Sequence, residues 1–557
     1  MGGWATVRAE RRVLGVVHNI TAATRLLDVI GLVAGDARVL VEFTVPGSSA
    51  FTEGTEAFLA TRGIRVRPWT SARSDGYHLA IIASLGGDLG TISANRLILP
   101  HGMGYNKYLP RETGKQGNRE TGKQGNRETG KQGNRETGAE FGFEPRWLVA
   151  GGELIPHALV LSHVEQRTRL AAACPEAVGV SVVGGDPVLD RLRASVPLRP
   201  VYRRALGVED GQRLVVLSST WGSASLLGTG IDLVRRFARL PLDEYRVVTA
   251  LHPNIAAWHG EWQLRNWLRE CSRAGITLLP QPDDWQAAVV AADVVVGDQG
   301  SVTFYSAALD RPVLLAVAPL HTVTPASPIG RFLRRAPLLD DAKDLAKQLD
   351  DVITTYDPTD LADLTALATS APDESAALLR SCFYNLMDLS EPPYPAEVRA
   401  VSCPDRLTRD VEAQLVQTEL TGLTVAVTRF PALLDAHKGL PPNTHLVVST
   451  REPLRRYLEL AEIILVPDAA DATEVLRGLP GCALAAGPVS EHEWLVVTRD
   501  GNEVYVTGLD DASASVVHAW LTAHGSLVDL PCRLSVRHGN RLVTAEFKTP
   551  TSSAARG

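Results

Sequence analysis

The sequence predicts an α/β chain: two successive Rossmann-like domains facing each other across a cleft, followed by a separate α+β domain. Three observations carry this. Short apolar runs alternate with amphipathic segments from Arg12 to about Leu99, the alternation restarts after Pro197 and Pro200, and it stops at EPPYP (391–395). Buried parallel strands joined by crossover helices leave this pattern. The expected domains span 1–196, 197–390 and 391–557.

In the first domain RRVLGVV, ARVLVEFTV, IRVRPW, HLAIIAS and NRLILP read as strands, with TAATRLLDVIGLVA and SAFTEGTEAFLATRG as helices between them. HALVLSH (157–163) and VGVSVVGG (178–185) add further strands. In the second domain RLVVLSST, YRVVTALHP, ITLLP, DVVVGDQG and RPVLLAV are strands, and helices include DWQAAVVAA and SVTFYSAALD. The helical sequence DDAKDLAKQLDDVITTY and DESAALLRSCFYNLMDL is expected to close that domain. In the third region TVAVTRF, HLVVST and EIILVP are core strands. WLVVTRDGNEVYVTG is a hairpin turning at Asp500, Gly501 and Asn502, and SASVVHAWLTAHG is a helix.

With 557 residues and 45% hydrophobic content, each domain can bury a core without disulfide or metal staples. Acidic residues outnumber basic ones by 63 to 56, and a net charge of −7 offers no broad positive surface for a phosphate backbone, so nucleic acid is not an expected partner. The six cysteines contain no CxxC pair and none lie close enough to share a small zinc site, so we expect free thiols of a reducing cytoplasm. No metal site and no cofactor are expected. The apolar run from Val13 to Val17 is too short for a signal segment, and no stretch reaches membrane-spanning length. A cytoplasmic location is expected, with peripheral contact at the inner face of the membrane left open.

The octapeptide RETGKQGN begins at Arg111, Arg119 and Arg127 and is followed by a last RETG ending at Gly138. Polar, Gly-rich and without an apolar stripe, it reads as a mobile loop, or as a lid for an anionic or polymeric acceptor. Deleting 111–138 is expected to leave the thermal midpoint nearly unchanged in calorimetry; a large loss would contradict the loop reading.

The chemistry-bearing residues lie at strand ends. LPHGMGYNKYLP places His101 on a Gly-flanked turn, where an imidazole can act as general base. LSSTWGS places Ser218, Ser219 and Thr220 after one strand, ALHPN places His252 after the next, and VVGDQGSVTFYSAALDRPVLL places Asp298, Gly300 and Ser301 at a strand-to-helix turn. A helix starting near Ser301 offers free N–H groups and its positive dipole end to a phosphate, while plain N-capping would also explain Asp298 and Ser301. GxxxxGK[ST], HEXXH and GxSxG are absent, so P-loop, zinc-protease and α/β-hydrolase chemistry lose their usual warrant.

This ordered set resembles the CDP-glycerol glycerophosphotransferase family of teichoic-acid polymerases, whose GT-B fold has two facing Rossmann-like domains. HGMGYNK resembles the family's HG turn with its following Lys, here Lys107. SSTW resembles its PTW segment, ALHP its HP motif, GDQGSVTFYSAALDRPVL its DYSS segment with helix and RPV strand, and GGDPVLDRL its G-x-P-x-x-D-x-L segment. The resemblance implies a nucleotide-diphospho donor, CDP-glycerol-like, and a hydroxyl acceptor on a lipid-linked or polymeric molecule. It also implies His101 as base, His252 and Ser301 on the donor phosphates, and Lys107, Ser219, Thr220, Asp298 and Gly300 in the donor site, with no metal required. The chain departs from the pattern at Gly222, where the family has Arg, at Gly300, in place of the first paired serine, and at Val188, where Arg is expected. Glycosyl transfer or epimerisation of a nucleotide sugar, and a catalytically degraded scaffold that binds nucleotides or protein, remain as alternatives.

Overall fold

The computed structural model describes residues 6–108, 141–433 and 443–549; the octapeptide repeat lies outside them. The first sheet has seven strands: β1 (Arg11–Val16), β2 (Val39–Thr44), β3 (Val66–Arg67), β4 (Leu79–Ile82), β5 (Asn95–Ile98), β6 (Ala158–Leu161) and β7 (Ser181–Val183). They are ordered β3-β2-β1-β4-β5-β6-β7 and every pairing is parallel. LAII of β4 and ALVL of β6 are buried throughout, as strands covered on both faces must be.

Helix α1 (Ile20–Ala34) begins where the Asn19 side chain accepts the Ala22 N–H, and it buries Leu26, Val29, Ile30 and Val33 at helical spacing. Helix α2 (Pro187–Ser195) carries the chain across to the second domain. Asp186 caps it by accepting from Val188 and Leu189, with Pro187 at its first position, and its Val188, Leu189 and Leu192 belong to the second domain's core.

The second sheet is also parallel: β8 (Arg213–Ser219), β9 (Tyr245–Leu251), β10 (Thr277–Leu278), β11 (Val294–Gly297) and β12 (Val313–Leu315), in the order β10-β9-β8-β11-β12. Helices α3 (Pro253–His259) and α4 (Ser301–Ala308) follow β9 and β11. In each sheet the strand order reverses once, beside β1 and β4 in the first and beside β8 and β11 in the second. Such switch points open a crevice outside the carboxyl ends of the strands.

Of the two helical segments expected to close the second domain, only the first does so. Helix α5 (Leu345–Thr354) packs Leu345 and Leu349 with Val294 and Val296. Helix α6 (Ser375–Met387) returns to the first domain, where its stripe of Leu379, Phe383 and Met387 joins Val13, Leu79 and Leu97. The Asp190 carboxylate on α2 fixes the start of this return by accepting from the Asp373 and Ser375 backbones at 2.8 and 3.0 Å.

The third region is α+β, as expected, and its sheet closes on itself. Strands β13 (Ala413–Thr421), β14 (Thr424–Pro431), β15 (Thr444–Ser449), β16 (Ile463–Leu465), β17 (Leu484–Ser490), β18 (Glu493–Thr498), β19 (Glu503–Thr507), β20 (Arg533–His538) and β21 (Arg541–Lys548) form a barrel ordered β13-β14-β20-β21-β19-β18-β17-β16-β15. Helix α7 (Ser513–His524) packs Ala514, Val516, Val517 and Trp520 against the valines of these strands. Closure leaves no strand edge for pairing with another chain.

Buried His445 on β15 shares a 2.9 Å hydrogen bond with Ser515 on α7, and burial holds its pKa down at about 3. Because the folded value lies below the unfolded one near 6.5, the neutral ring favours the fold, and this contribution is complete above about pH 6.5 and lost as pH falls toward 3. The barrel is expected to lose about 1 kcal/mol per pH unit in that window. Denaturant melts from pH 7 to 4.5 would show the slope, and an equally steep slope in His445→Gln would contradict this assignment.

Candidate functional site

The cleft is built from the carboxyl ends of both sheets. On the second domain, the loop after β8 and the start of α4 meet around Asp298. Its Oδ2 accepts from the backbones of Thr220 and Leu226, and its Oδ1 from that of Gly300, each at 2.9 Å. Burial pushes this carboxyl upward in pKa, and the three N–H groups with the Lys107 charge oppose that. Asp298 therefore clips the β8 and β11 loops together across the switch point. A Cβ at Gly300 would lie 3.0 Å from Asp298 Oδ1 and 3.4 Å from Thr220 Cβ, which gives a physical reason for glycine at this position.

Ser219 is buried, donating to the Thr220 carbonyl at 2.9 Å and accepting the Leu227 N–H at 3.0 Å, while its own carbonyl accepts the His252 N–H. Its hydroxyl thus shapes the loop. Trp221 stands 42% exposed at the mouth, 4.9 Å from the ring of Phe51 in the first domain, and Gly222 behind it has φ +94°, a conformation in which an arginine would be strained. Val188 packs in the second domain's core, so this position presents no side chain to the cleft.

On the first domain, His101 follows β5, and its Nδ1 lies 3.1 Å from the Ala83 carbonyl at the end of β4. A carbonyl only accepts, so the ring proton sits on Nδ1 and Nε2 keeps its lone pair. Burial and the Lys107 charge hold this imidazole at about 4, so it is an unprotonated base at neutral pH. His252 carries the opposite tautomer. Its Nδ1 accepts the Asn254 N–H at 3.1 Å, capping α3, which leaves the proton on Nε2 as a donor. Burial, with Lys107 and His101 nearby, pushes its pKa well below the usual value. The Lys107 ammonium, in the field of Asp298, is itself shifted down by burial.

The two domains touch where these groups converge. Ser301 Oγ accepts the Met103 N–H at 3.0 Å, and a Cβ on Gly102 would stand 2.8 Å from that oxygen, so only glycine allows the approach. Helix α4 has no side-chain cap at its N-terminus. The structure thus joins His101, Lys107, His252 and Ser301 at one cleft, with Thr220, Asp298 and Gly300 as its supporting turn and Ser219 one layer behind.

Sequence reasoning missed a buried junction beside this cleft. Arg25 on α1 donates to the Tyr305 hydroxyl at 3.1 Å and pairs with Asp186 at 3.5 Å, and Tyr305 on α4 donates to Asp186 at 2.7 Å. The available signals were an arginine interrupting the apolar face of TAATRLLDVIGLVA and an Asp-Pro helix start in GGDPVLD. Among the described residues no cluster of His, Cys, Asp or Glu is arranged to hold a metal ion, and no helix is long and apolar enough to cross a membrane. A separate cavity of about 900 Å³ lies between the second domain and the barrel, and none of the cleft residues lines it.

Fold and site define a protein of two facing Rossmann-like domains with a histidine-lined cleft. No protein-family model and no curated protein matches the sequence. Among solved structures, it is similar to the wall teichoic acid polymerase TagF at 12% identity and a TM-score of 0.44, covering 69% of this chain and 89% of that one. It is also similar to the UDP-GlcNAc 2-epimerase from Neisseria meningitidis at 10% identity and a TM-score of 0.38, covering 67% and 100%. The S. aureus MnaA complex with UDP matches at 9% identity and a TM-score of 0.39, covering 70% and 100%.

Proposed function

We propose that the protein is a transferase that moves a polyol-phosphate group from a CDP-glycerol-like donor to a hydroxyl acceptor. The observation that carries this reading is the complementary pair of tautomers: a free base on His101 Nε2 in one domain and an N–H donor on His252 Nε2 in the other. His101 takes the acceptor's proton as its oxygen attacks the donor's outer phosphorus. The bond from that phosphorus to the bridging oxygen breaks, and the nucleoside monophosphate leaves. Charge gathers on the leaving phosphate, which His252, Lys107 and the first turn of α4 at Ser301 are placed to stabilise without a metal. Thr220, Asp298 and Gly300 hold the turn that presents the nucleotide side of the site.

The ordered motifs HGMGYNK, SSTW, ALHP and GDQGSVTFYSAALDRPVL, all at the strand ends of this cleft, support the same reading. Product analysis with CDP-glycerol and with UDP-sugars tests it. Release of CMP together with an extended acceptor is the expected result. Release of UDP, or epimerised sugar alone, would move the protein to nucleotide-sugar chemistry, and no turnover on any donor would favour the degraded scaffold.

A further inference from the structure

The Arg25, Asp186 and Tyr305 side chains are almost wholly removed from solvent, yet they come from three elements: α1 of the first domain, the crossing helix α2's cap, and α4 of the second domain. Each partner is heavily used. Asp186 Oδ1 accepts from Val188 and Leu189 at 3.0 and 3.1 Å while facing Arg25, and Oδ2 accepts the Tyr305 hydroxyl proton. Tyr305 in turn accepts from Arg25, so removing its oxygen breaks two hydrogen bonds with almost no change in volume. One turn lower on the same α1–α2 contact, Asp28 pairs with Arg191.

Tyr305 lies four residues after Ser301, so both are on one face of α4. That face meets the first domain twice, at Met103 in the His101 turn and at Arg25 on α1. Helix α4 is therefore pinned to the first domain at its N-terminal end and one turn further on. The Arg25 charge also acts on His101 and disfavours its protonation.

We infer that Arg25 and Tyr305 are positioning residues that hold the first turn of α4 at a fixed distance from the His101 turn, so that donor phosphates and acceptor base meet in register. This rests on the proposed reading of the cleft for its catalytic meaning, but the mechanical statement stands on contacts within the chain. A buried ionic junction is a weak source of net stability, because desolvation offsets much of the attraction, whereas losing one partner leaves the others exposed to that cost. Its effect on alignment is the part that distinguishes it from packing.

The test is amide exchange and kinetics on the full chain with Tyr305→Phe and, separately, Arg25→Lys, which keeps the charge and loses the planar fork. Exchange at residues 101–107 and at the start of α4 is expected to speed up about tenfold in both variants, with β8 and β9 unchanged, since only the local junction opens. Turnover number is expected to fall about tenfold with the donor KM nearly constant, the pattern of lost alignment in the transition state. Exchange at 101–107 within twofold of wild type in both variants would overturn the inference, as would acceleration spread evenly over both sheets. Exchange requires no turnover, so a chain that transfers nothing would defeat the proposed function and leave this result readable.

Discussion

His101→Ala is expected to lower turnover by about 10²- to 10⁴-fold, the usual worth of a positioned general base, while donor affinity stays within about threefold. The asymmetry follows from the division of the cleft. His101 belongs to the first domain, where the proposed function gives its free Nε2 to the acceptor, whereas that reading assigns the donor phosphates to α4 and His252 on the second. Steady-state kinetics with calorimetric donor binding measures both halves. Undiminished turnover in His101→Ala would remove the histidine from the mechanism. The pH profile adds a sign: the ring is held at about 4, so it stays deprotonated through neutrality and kcat/KM should fall only on the acid side near that value. An acid limb near 6.5 would mean either that the His101 ring is solvated or that another group is the base, and would contradict the buried base assigned to it.

Asp298→Ala is the second large effect. It removes the acceptor of three buried backbone N–H groups, those of Thr220, Leu226 and Gly300. An orphaned buried donor costs about 1–3 kcal/mol, so we expect a loss of about 3–5 kcal/mol for the set after partial relaxation. That corresponds to a fall in the thermal midpoint on the order of 10 °C for a domain of this size. Donor binding should fall with it, because the loops after β8 and β11 separate. A calorimetric scan within about 2 °C of wild type would mean that the carboxylate does not clip the two loops together.

Much of this site was legible in the sequence because its information is local. His101, His252 and Ser301 each follow a run of buried β-formers, and an interrupted strand followed by Gly or Pro marks where a side chain can reach a crevice. Their tautomers were not legible, since they depend on the Ala83 carbonyl of a neighbouring strand and on the geometry of the Asn254 amide. The distinction between a ligand contact and a clip was equally hidden. Asp298 and Ser219 have the residue types of a binding turn, and only the paths of the Thr220, Leu226 and Leu227 backbones show where their oxygens are spent.

The fold was legible to the same degree. Alternating strands and helices announced both parallel sheets, but the amphipathic stripe of α6 does not encode which sheet it will cover, and the Asp190 contact that sends it back lies 185 residues away from Ser375. Barrel closure depends on the parallel pairing of Thr424 through Val427 with Ser535 through His538, a join between distant segments that no local periodicity records. The Arg25 junction is likewise a meeting of three elements, visible beforehand only as a charge out of place on an apolar helix face.

Titration calorimetry with CDP-glycerol on wild type, His252→Ala and Ser301→Ala tests the central claim most directly. The account predicts saturable binding by the wild-type chain and a loss of about tenfold or more in each variant, the worth of a charge-assisted or helix-end hydrogen bond to phosphate. Equal affinity in all three proteins, or no binding by any of them, would contradict the assignment of this cleft to a nucleotide-diphospho donor.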